Sequence, residues 1–170
     1  MTSRVGIGYD LHRLVEDREL VLGGVKVKYH LGLDGHSDAD VLLHALIDAM
    51  LGAAAMRDIG AHFPPDDEQY KGISSLELLK KTKEMLGRER WRVVNADSTI
   101  IAEEPKLASY IDRMRHNIAK ALGIPVSRIS IKATTTEGLG VCGRGEGIAA
   151  QAVVLLEKSS HPGPAGHEAK

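Results

Sequence analysis

The segment from Leu139 to Leu156 constrains the fold most strongly, because it carries little charge. Its last part, Gly147–Leu156, is rich in alanine and valine, which is typical of a strand buried on both faces. A sheet that has helices on one face must also cover its other face. We therefore expect a sheet protein that associates with copies of itself around a symmetry axis.

Hydrophobic patterns along the rest of the chain predict further strands and three helices in mixed order. Alternation predicts strands at Arg4–Tyr9, Leu20–Tyr29 (two strands around a Gly-Gly turn), Trp91–Ala102 and Arg128–Ala133. Helical spacing and caps predict helices from Ser37 or Asp38 to about Met56, from the capping box Ser74–Glu77 to Gly87, and from Pro105 to Gly123. The predicted class is α/β or α+β, a mixed sheet with helices on one face.

Length and composition limit the partners. The 170 residues fit one domain, expected at residues 1–158, before a tail at 159–170 that we expect to be disordered. A net charge of −1 gives no broad field to attract nucleic acid, and no apolar run approaches the roughly 20 residues that span a bilayer. The single cysteine, Cys142, excludes an internal disulfide. We expect a cytoplasmic protein, or a plastid one if a transit peptide was removed.

A carboxylate and two imidazoles form a candidate metal site. Asp10 and His12 are two residues apart on a strand, so their side chains share one side, and His44 lies in the first turns of the first helix. Three such ligands leave a fourth tetrahedral position open, as in catalytic zinc sites. Asp40 and Asp48 flank His44 at four-residue spacing, so an acidic neighbour could orient its ring. Alternatively, Asp10 and His12 only end a strand and His44 is a surface or core histidine.

The residues before that helix form a candidate phosphate site. His36 and Ser37 precede a helix N-terminus, where unpaired N–H groups attract anions. His36 could donate to a developing phosphoryl charge. The alternative is that Ser37 and Asp38 serve only as helix caps.

The segment Ala133–Gly147 is the most unusual in composition, with five glycines in the ten residues from Gly138. Such glycines permit turns that point N–H groups inward as an anion nest. Threonine hydroxyls are donors, Glu137 offers an oxygen ligand to magnesium, and Arg144 can bind phosphate through two nitrogens. The pattern is not a Walker A motif, and the alternative is a flexible hairpin.

A long loop from Arg57 to Gly72 is the last candidate. It contains Asp58–Ile59–Gly60 and Phe63, an acidic group with exposed amides that could bind the hydroxyls of a polyol. A solvated acidic loop explains the same residues equally well.

Together these motifs resemble the 2-C-methyl-D-erythritol 2,4-cyclodiphosphate synthase family. The family signature is similar to Ser37–Ala45, and Gly6–Arg13, Asp58–Pro64 and Lys132–Gly147 also match. The resemblance covers residues 3 to 157 in order, without large gaps. It implies a homotrimer with active sites between subunits, which cyclises 4-diphosphocytidyl-2-C-methyl-D-erythritol 2-phosphate and releases cytidine monophosphate (CMP).

The resemblance also implies residue roles. Asp10, His12 and His44 would hold zinc, and Glu137 would hold magnesium or manganese on the substrate diphosphate. His36 and Thr135 would stabilise the transition state. The implied substrate contacts are Asp10, His12, His36, Ser37, Asp58, Ile59, Gly60 and Phe63 on the zinc side. On the nucleotide side they are Ala102, Pro105, Lys106, Leu107, Ala108, Ala133, Thr134, Thr135 and Glu137, with Val141 and Arg144 beyond them.

Two departures from the family pattern bear on these roles. Pro65 stands where the family usually has aspartate, and Asp66 follows it. Val141 stands where an aromatic residue is common, which weakens the implied binding of an isoprenoid diphosphate in a central cavity near Arg144. Two other functions remain open: a non-catalytic trimeric binder of nucleotide or isoprenoid diphosphate, and a zinc phosphohydrolase.

Overall fold

The computed structural model describes residues 2–159, and its core is a five-stranded mixed sheet. The strands are β1 (Ser3–Val15), β2 (Leu20–Leu22), β3 (Val25–Val27), β4 (Gly32–Leu33), β5 (Trp91–Ile101), β6 (Ile129–Thr134) and β7 (Gly147–Lys158). The sheet order is β4-β1-β7-β5-β6, while β2 and β3 form a separate hairpin. Only β5 and β6 pair in parallel, which confirms the predicted mixed sheet. The rest of the predicted tail, residues 160–170, lies outside the described residues.

The three long helices within residues 2–159 pack against this sheet. In chain order the helices are α1 (Val41–Ala54), α2 (Ile59–His62), α3 (Ser75–Arg88), α4 (Ile111–Leu122) and α5 (Gly140–Gly143), with 3-10 turns at Glu68–Tyr70 and Val126–Arg128. The long ones are α1, α3 and α4. Helix α1 contacts β1, β7 and α3, and 11 of its 14 residues are buried. Its burial on nearly all sides explains why its sequence is apolar almost throughout.

Two glycines allow α1 to lie directly on β1. Strand alternation places Gly6, Gly8, Asp10 and His12 on the face toward α1. A Cβ atom at Gly6 would lie 2.0 Å from the Ala49 carbonyl oxygen, and one at Gly8 would lie 1.9 Å from the corresponding oxygen of residue 45. Any side chain at either position would push the helix away from the strand. The close approach brings the start of α1 next to the ligands at the middle of β1.

Asp40 joins the start of α1 to the β2–β3 hairpin. Its carboxylate accepts from the N–H groups of Leu43 at 3.1 Å, Gly23 at 3.0 Å and Gly24 at 2.7 Å. Complete burial raises the pKa of Asp40 to about 6, although these three donors oppose the shift. Both glycines have positive φ, which lets their N–H groups converge on one carboxylate.

Three sequence predictions need correction. The third helix begins at Ile111, not at Pro105, because residues 103–109 form bends and turns. Leu107 lies in these turns and is buried. Its spacing to the apolar residues of the helix therefore made the helix seem to begin before Ile111 in the sequence. Strand β1 runs on to Val15, well past Tyr9, and the predicted long loop contains α2 and a 3-10 turn.

The face of the sheet opposite the helices is apolar and exposed in the single chain. Its exposed side chains include Val5, Ile7, Tyr9 and Leu11 on β1 and Val153 on β7. In the register, Ile7 lies opposite Val153, so these side chains form one patch. No helix within residues 2–159 is long and apolar enough to span a membrane.

Candidate active site

Asp10, His12 and His44 converge on one point, as the sequence predicted. Asp10 Oδ2 lies 2.9 Å from His12 Nε2 and 3.0 Å from His44 Nδ1, and the two nitrogens are 3.2 Å apart. Ligand atoms about 2.0–2.1 Å from a tetrahedral ion lie roughly 3.3 Å from one another. The three atoms therefore fit one metal ion. This is the only group of three or more potential metal ligands in the described part of the chain.

The residues of this cluster shift one another's pKa values. Partial burial would raise the pKa of Asp10, but hydrogen bonds and charge from His12 and His44 outweigh it and hold that pKa well below its usual range. Burial would lower the pKa of His12, but its hydrogen bonds to Asp10 and to the Asp34 carbonyl raise it instead. Without a metal, the Asp10 carboxylate and the His12 imidazole thus stabilise each other's charged forms. A metal ion would replace the shared protons.

The outer nitrogens of both imidazoles have partners that orient the rings. His12 Nδ1 donates to the carbonyl oxygen of Asp34, which leaves Nε2 for a metal. His44 Nε2 lies 3.0 Å from Ser75 Oγ and 3.1 Å from Ser37 Oγ, which leaves Nδ1 for the same ion. Each ring therefore presents its inner nitrogen toward Asp10.

Asp38 orients His44 through Ser75, whereas helical spacing had indicated Asp40 or Asp48. Ser75 Oγ donates to Asp38 Oδ1 at 2.5 Å, so it is free to accept from His44 Nε2. Asp40 instead caps α1, and Asp48 accepts from the Ile59 N–H at 2.9 Å. The predicted orientation by Asp40 or Asp48 is wrong because both carboxylates are used by backbone donors.

The cluster lines a cavity of about 270 Å³. Predicted residues His36, Ser37, Ile59, Gly60 and Phe63 line it too. Sequence reasoning missed three further lining residues, which come from separate elements of the chain: Tyr9, Tyr70 and Leu78. Asp48, which the sequence placed beside His44, also lines the cavity.

The departure at Pro65 can be placed in this cavity. Pro65 is among its lining residues, whereas Asp66 is exposed and is not. Asp58 is also absent from the lining: its carboxylate caps α2 by accepting from the Ala61 N–H at 2.9 Å. Its predicted contact with substrate stays a prediction.

The loop that carries His36 is held on two sides. Arg18 donates to the carbonyl oxygens of Gly35 at 2.8 Å and Ser37 at 2.9 Å, the residues on either side of His36. On the other side, His36 Nε2 lies 3.2 Å from the Asp67 carbonyl oxygen. These contacts fix a histidine beside the metal ligands, and nothing in the local sequence identified Arg18.

A second cavity, of about 210 Å³, brings the predicted nucleotide residues together. Its lining comprises Ala102, Glu103, Pro105, Lys106, Leu107, Ala108, Ala133, Thr134 and Thr135. All belong to the predicted set except Glu103. The turns at 103–109 that replaced the predicted start of a helix form one wall of this cavity.

The Gly-rich segment folds as a turn followed by the short helix α5. Thr135 Oγ1 donates to Glu137 Oε1 at 3.2 Å, and Glu137 is exposed with φ of 52°. Arg144 pairs with Glu146 at 2.6 Å, and Val141 is 40% exposed. No described contact tests the predicted isoprenoid diphosphate near these two residues.

The two cavities share no lining residue and lie on different parts of the sheet. The register aligns Asp10 with Ala150, Ala150 with Ile100, and Ile100 with Ala133. Asp10 and Ala133 are therefore three strand spacings apart, or about 14 Å. Within one chain, the candidate metal ligands and the predicted nucleotide residues line two separate cavities, which we call the two half-sites.

Comparisons with known proteins identify the family of this chain. A model of the YgbB family matches residues 3–157. The 2-C-methyl-D-erythritol 2,4-cyclodiphosphate synthase of Syntrophomonas wolfei is 61% identical, covering 92% of this chain and 99% of that protein. The bifunctional IspDF from Campylobacter jejuni has a TM-score of 0.90 at 41% identity, covering 93% of this chain and 43% of that one. The Plasmodium falciparum IspF, solved as a CDP complex, has a TM-score of 0.81 at 33% identity, covering 93% and 97%. The chain belongs to the YgbB family, together with the 2-C-methyl-D-erythritol 2,4-cyclodiphosphate synthases.

Proposed function

We propose that the protein converts 4-diphosphocytidyl-2-C-methyl-D-erythritol 2-phosphate to 2-C-methyl-D-erythritol 2,4-cyclodiphosphate and releases CMP, a lyase reaction of the non-mevalonate isoprenoid pathway. One observation carries the proposal: a three-ligand metal cluster opens into a cavity, in a chain 61% identical to a synthase of that name. A protein that only binds nucleotide has no need for a metal site with a free position.

The donor set favours zinc at the Asp10, His12 and His44 cluster. Two imidazoles and one carboxylate suit zinc better than magnesium, which prefers oxygen ligands alone. Glu137 supplies a single exposed carboxylate, which suits a magnesium or manganese ion that takes its other ligands from water and phosphate. When bound, the two ions would neutralise and polarise the diphosphate.

The reaction needs positioning more than a base, because the nucleophile is already an anion. An oxygen of the 2-phosphate attacks the β-phosphorus, the bond from that phosphorus to the bridging oxygen breaks, and CMP leaves with that oxygen. His36, which lines the same cavity as the candidate metal ligands, would stabilise the charge that develops on the phosphoryl oxygens. Thr135 would donate from the nucleotide side. The cavity around Ile59, Gly60 and Phe63 would hold the methylerythritol.

The composition of the nucleotide half-site suits a nucleotide, with apolar walls for a base and a cation for phosphate. Its walls are formed in part by apolar side chains, those of Ala102, Leu107, Ala108 and Ala133. The exposed Lys106 would supply a cation for the phosphates. The CDP complex of the Plasmodium falciparum protein supports a cytidine nucleotide as the ligand of this fold.

We further propose that the protein is a homotrimer with each active site shared by two chains. The zinc ligands and Glu137 would act on one diphosphate, which is much shorter than the separation of the two half-sites in a single chain. A cyclic assembly repeats one interface, so the zinc half of one chain can face the nucleotide half of the next. The apolar patch around Ile7 and Val153 supplies a surface that such an assembly would bury.

Phosphorus NMR of the products tests the proposed reaction. With the cytidyl-linked substrate, zinc and magnesium, we expect the two coupled signals of a cyclic diphosphate together with the signal of CMP. Release of inorganic phosphate would instead show a phosphohydrolase, and unchanged substrate would show a binding protein. Either result contradicts the proposal.

A further inference from the structure

The anion nest of the Gly-rich segment already holds an anion from the same chain. Glu103 Oε1 accepts from the N–H of Thr136 at 3.0 Å and from the N–H of Gly138 at 3.2 Å. The hydroxyl oxygen of Thr136 lies 3.4 Å from the same carboxylate oxygen. The two N–H groups point to the same oxygen because Glu137 and Gly138, the residues at this turn, both have positive φ. These N–H groups are therefore committed to Glu103 and not available to a substrate phosphate.

The same turn is packed on its other side by Gly143. A Cβ atom at Gly143 would lie 2.2 Å from the carbonyl carbon of Gly138 and 2.8 Å from Thr136 Oγ1. Thr136 Oγ1 also donates to the Leu139 carbonyl oxygen at 2.5 Å. The turn therefore lies between the Glu103 carboxylate and helix α5, although most of its residues are exposed.

From these contacts we propose that Glu103 is a positioning residue, whose carboxylate fixes the turn that presents Thr135 and Glu137 to the diphosphate. Thr135 and Glu137 directly flank Thr136, whose backbone N–H donates to Glu103. Glu137 adopts a left-handed conformation that a non-glycine residue rarely takes, so it needs external support. The role rests on the proposed function, and it concerns the orientation of groups, not binding of the nucleotide.

The test compares Glu103→Ala and Glu103→Gln with the control Glu104→Gln. Glu104 is the adjacent exposed glutamate, with only a 3.8 Å ion pair to Lys106. We expect Glu103→Ala to lower kcat at least tenfold and to raise the magnesium concentration for half-maximal rate severalfold, with KM for substrate within about threefold of wild type. Glu103→Gln keeps an acceptor oxygen and should recover most of kcat. The control should match wild type.

Amide hydrogen exchange, measured by NMR without substrate or magnesium, provides a readout that does not depend on activity. In Glu103→Ala, the Thr136 and Gly138 amides should exchange at least about tenfold faster, while Glu103→Gln and Glu104→Gln stay near wild type. Unchanged exchange in Glu103→Ala would overturn the proposal, and so would faster exchange with unchanged kcat. A rise in KM alone would also overturn it, because Glu103 would then contact the nucleotide directly. If wild type releases no CMP, the proposed function fails, and exchange still decides whether Glu103 orders the turn.

Discussion

The metal cluster and the Gly-rich turn are both rich in charged and polar groups, yet they are built in opposite ways. At the metal cluster the side chains of Asp10, His12 and His44 are 28%, 19% and 13% exposed, and each imidazole has a partner for its outer nitrogen. At the Gly-rich turn Glu137 and Leu139 are exposed, and Leu139 reaches 74%. The metal cluster has its partners within its own chain, whereas the Gly-rich turn presents its groups outward.

This difference shows which contacts fix the conformation of each half-site. The cluster is ordered by β1 and α1, which pack closely because of Gly6 and Gly8. The turn is held by the Glu103 carboxylate and by contact with Gly143 of α5, and most of its residues are exposed. In our account a second chain and the substrate complete the second half-site, so changes at the two sites should have separable effects.

The largest effect is expected from loss of a metal ligand. His44→Ala removes one of three ligands and should lower both zinc content, from about one per chain, and activity by more than about a hundredfold, since even outer partners of metal ligands are worth 10–100-fold. His116→Ala, an exposed histidine on α4, is the control. Metal analysis and a CMP-release assay measure both quantities. Full metal and activity in His44→Ala would show that the cluster is not the site.

A smaller effect is expected at the exposed half-site. Glu137→Gln keeps the shape of the side chain but removes its charge, so activity should fall on the order of tenfold to a hundredfold and the magnesium dependence should weaken. Zinc content should stay at the wild-type level, because the two metals use different ligands. Joint loss of zinc and magnesium binding would remove the contrast between the half-sites.

The hydroxyl between Asp38 and His44 offers a finer test of the cluster. Ser75→Ala should weaken zinc binding about tenfold, because it removes one of the groups that orient His44. Ser74→Ala is a matched control. Ser74 caps helix α3, whose first residue is Ser75, and its side chain accepts from the Leu76 N–H. A chelator competition titration compares the variants. Equal zinc affinity in both would show that Ser37 alone orients the ring.

The smallest effect is expected at Asp66. Because Pro65 lines the cavity and Asp66 does not, Asp66→Ala should change KM less than about twofold. Steady-state kinetics measure this directly. A clear rise in KM would mean that Asp66 has taken over a substrate contact in place of the aspartate that the family usually has at position 65.

The sequence predicted those parts of the site that depend on local periodicity. Asp10 and His12 share a side because strands alternate, and the first helix carries His44 to them. The relay from Asp38 through Ser75 joins residues 37 positions apart, and Glu103 meets its turn across 33 to 35 positions, so neither has a local signal. The start of the third helix was predicted wrongly for a different reason. Leu107 is buried although it lies in a turn, so its burial looked like that of a helical residue.

The central claim is that each active site joins the zinc half of one chain to the nucleotide half of another. Two variants damage opposite halves, His44→Ala and the double variant Lys106→Ala/Thr135→Ala. Unfolded and refolded together in equal amounts with zinc, they should form random trimers in which about a quarter of the interfaces join two intact halves. Activity should return to about a quarter of wild type, although each parent alone is inactive. If mass spectrometry confirms mixed trimers and the mixture stays inactive, each site is built within one chain and the account is contradicted.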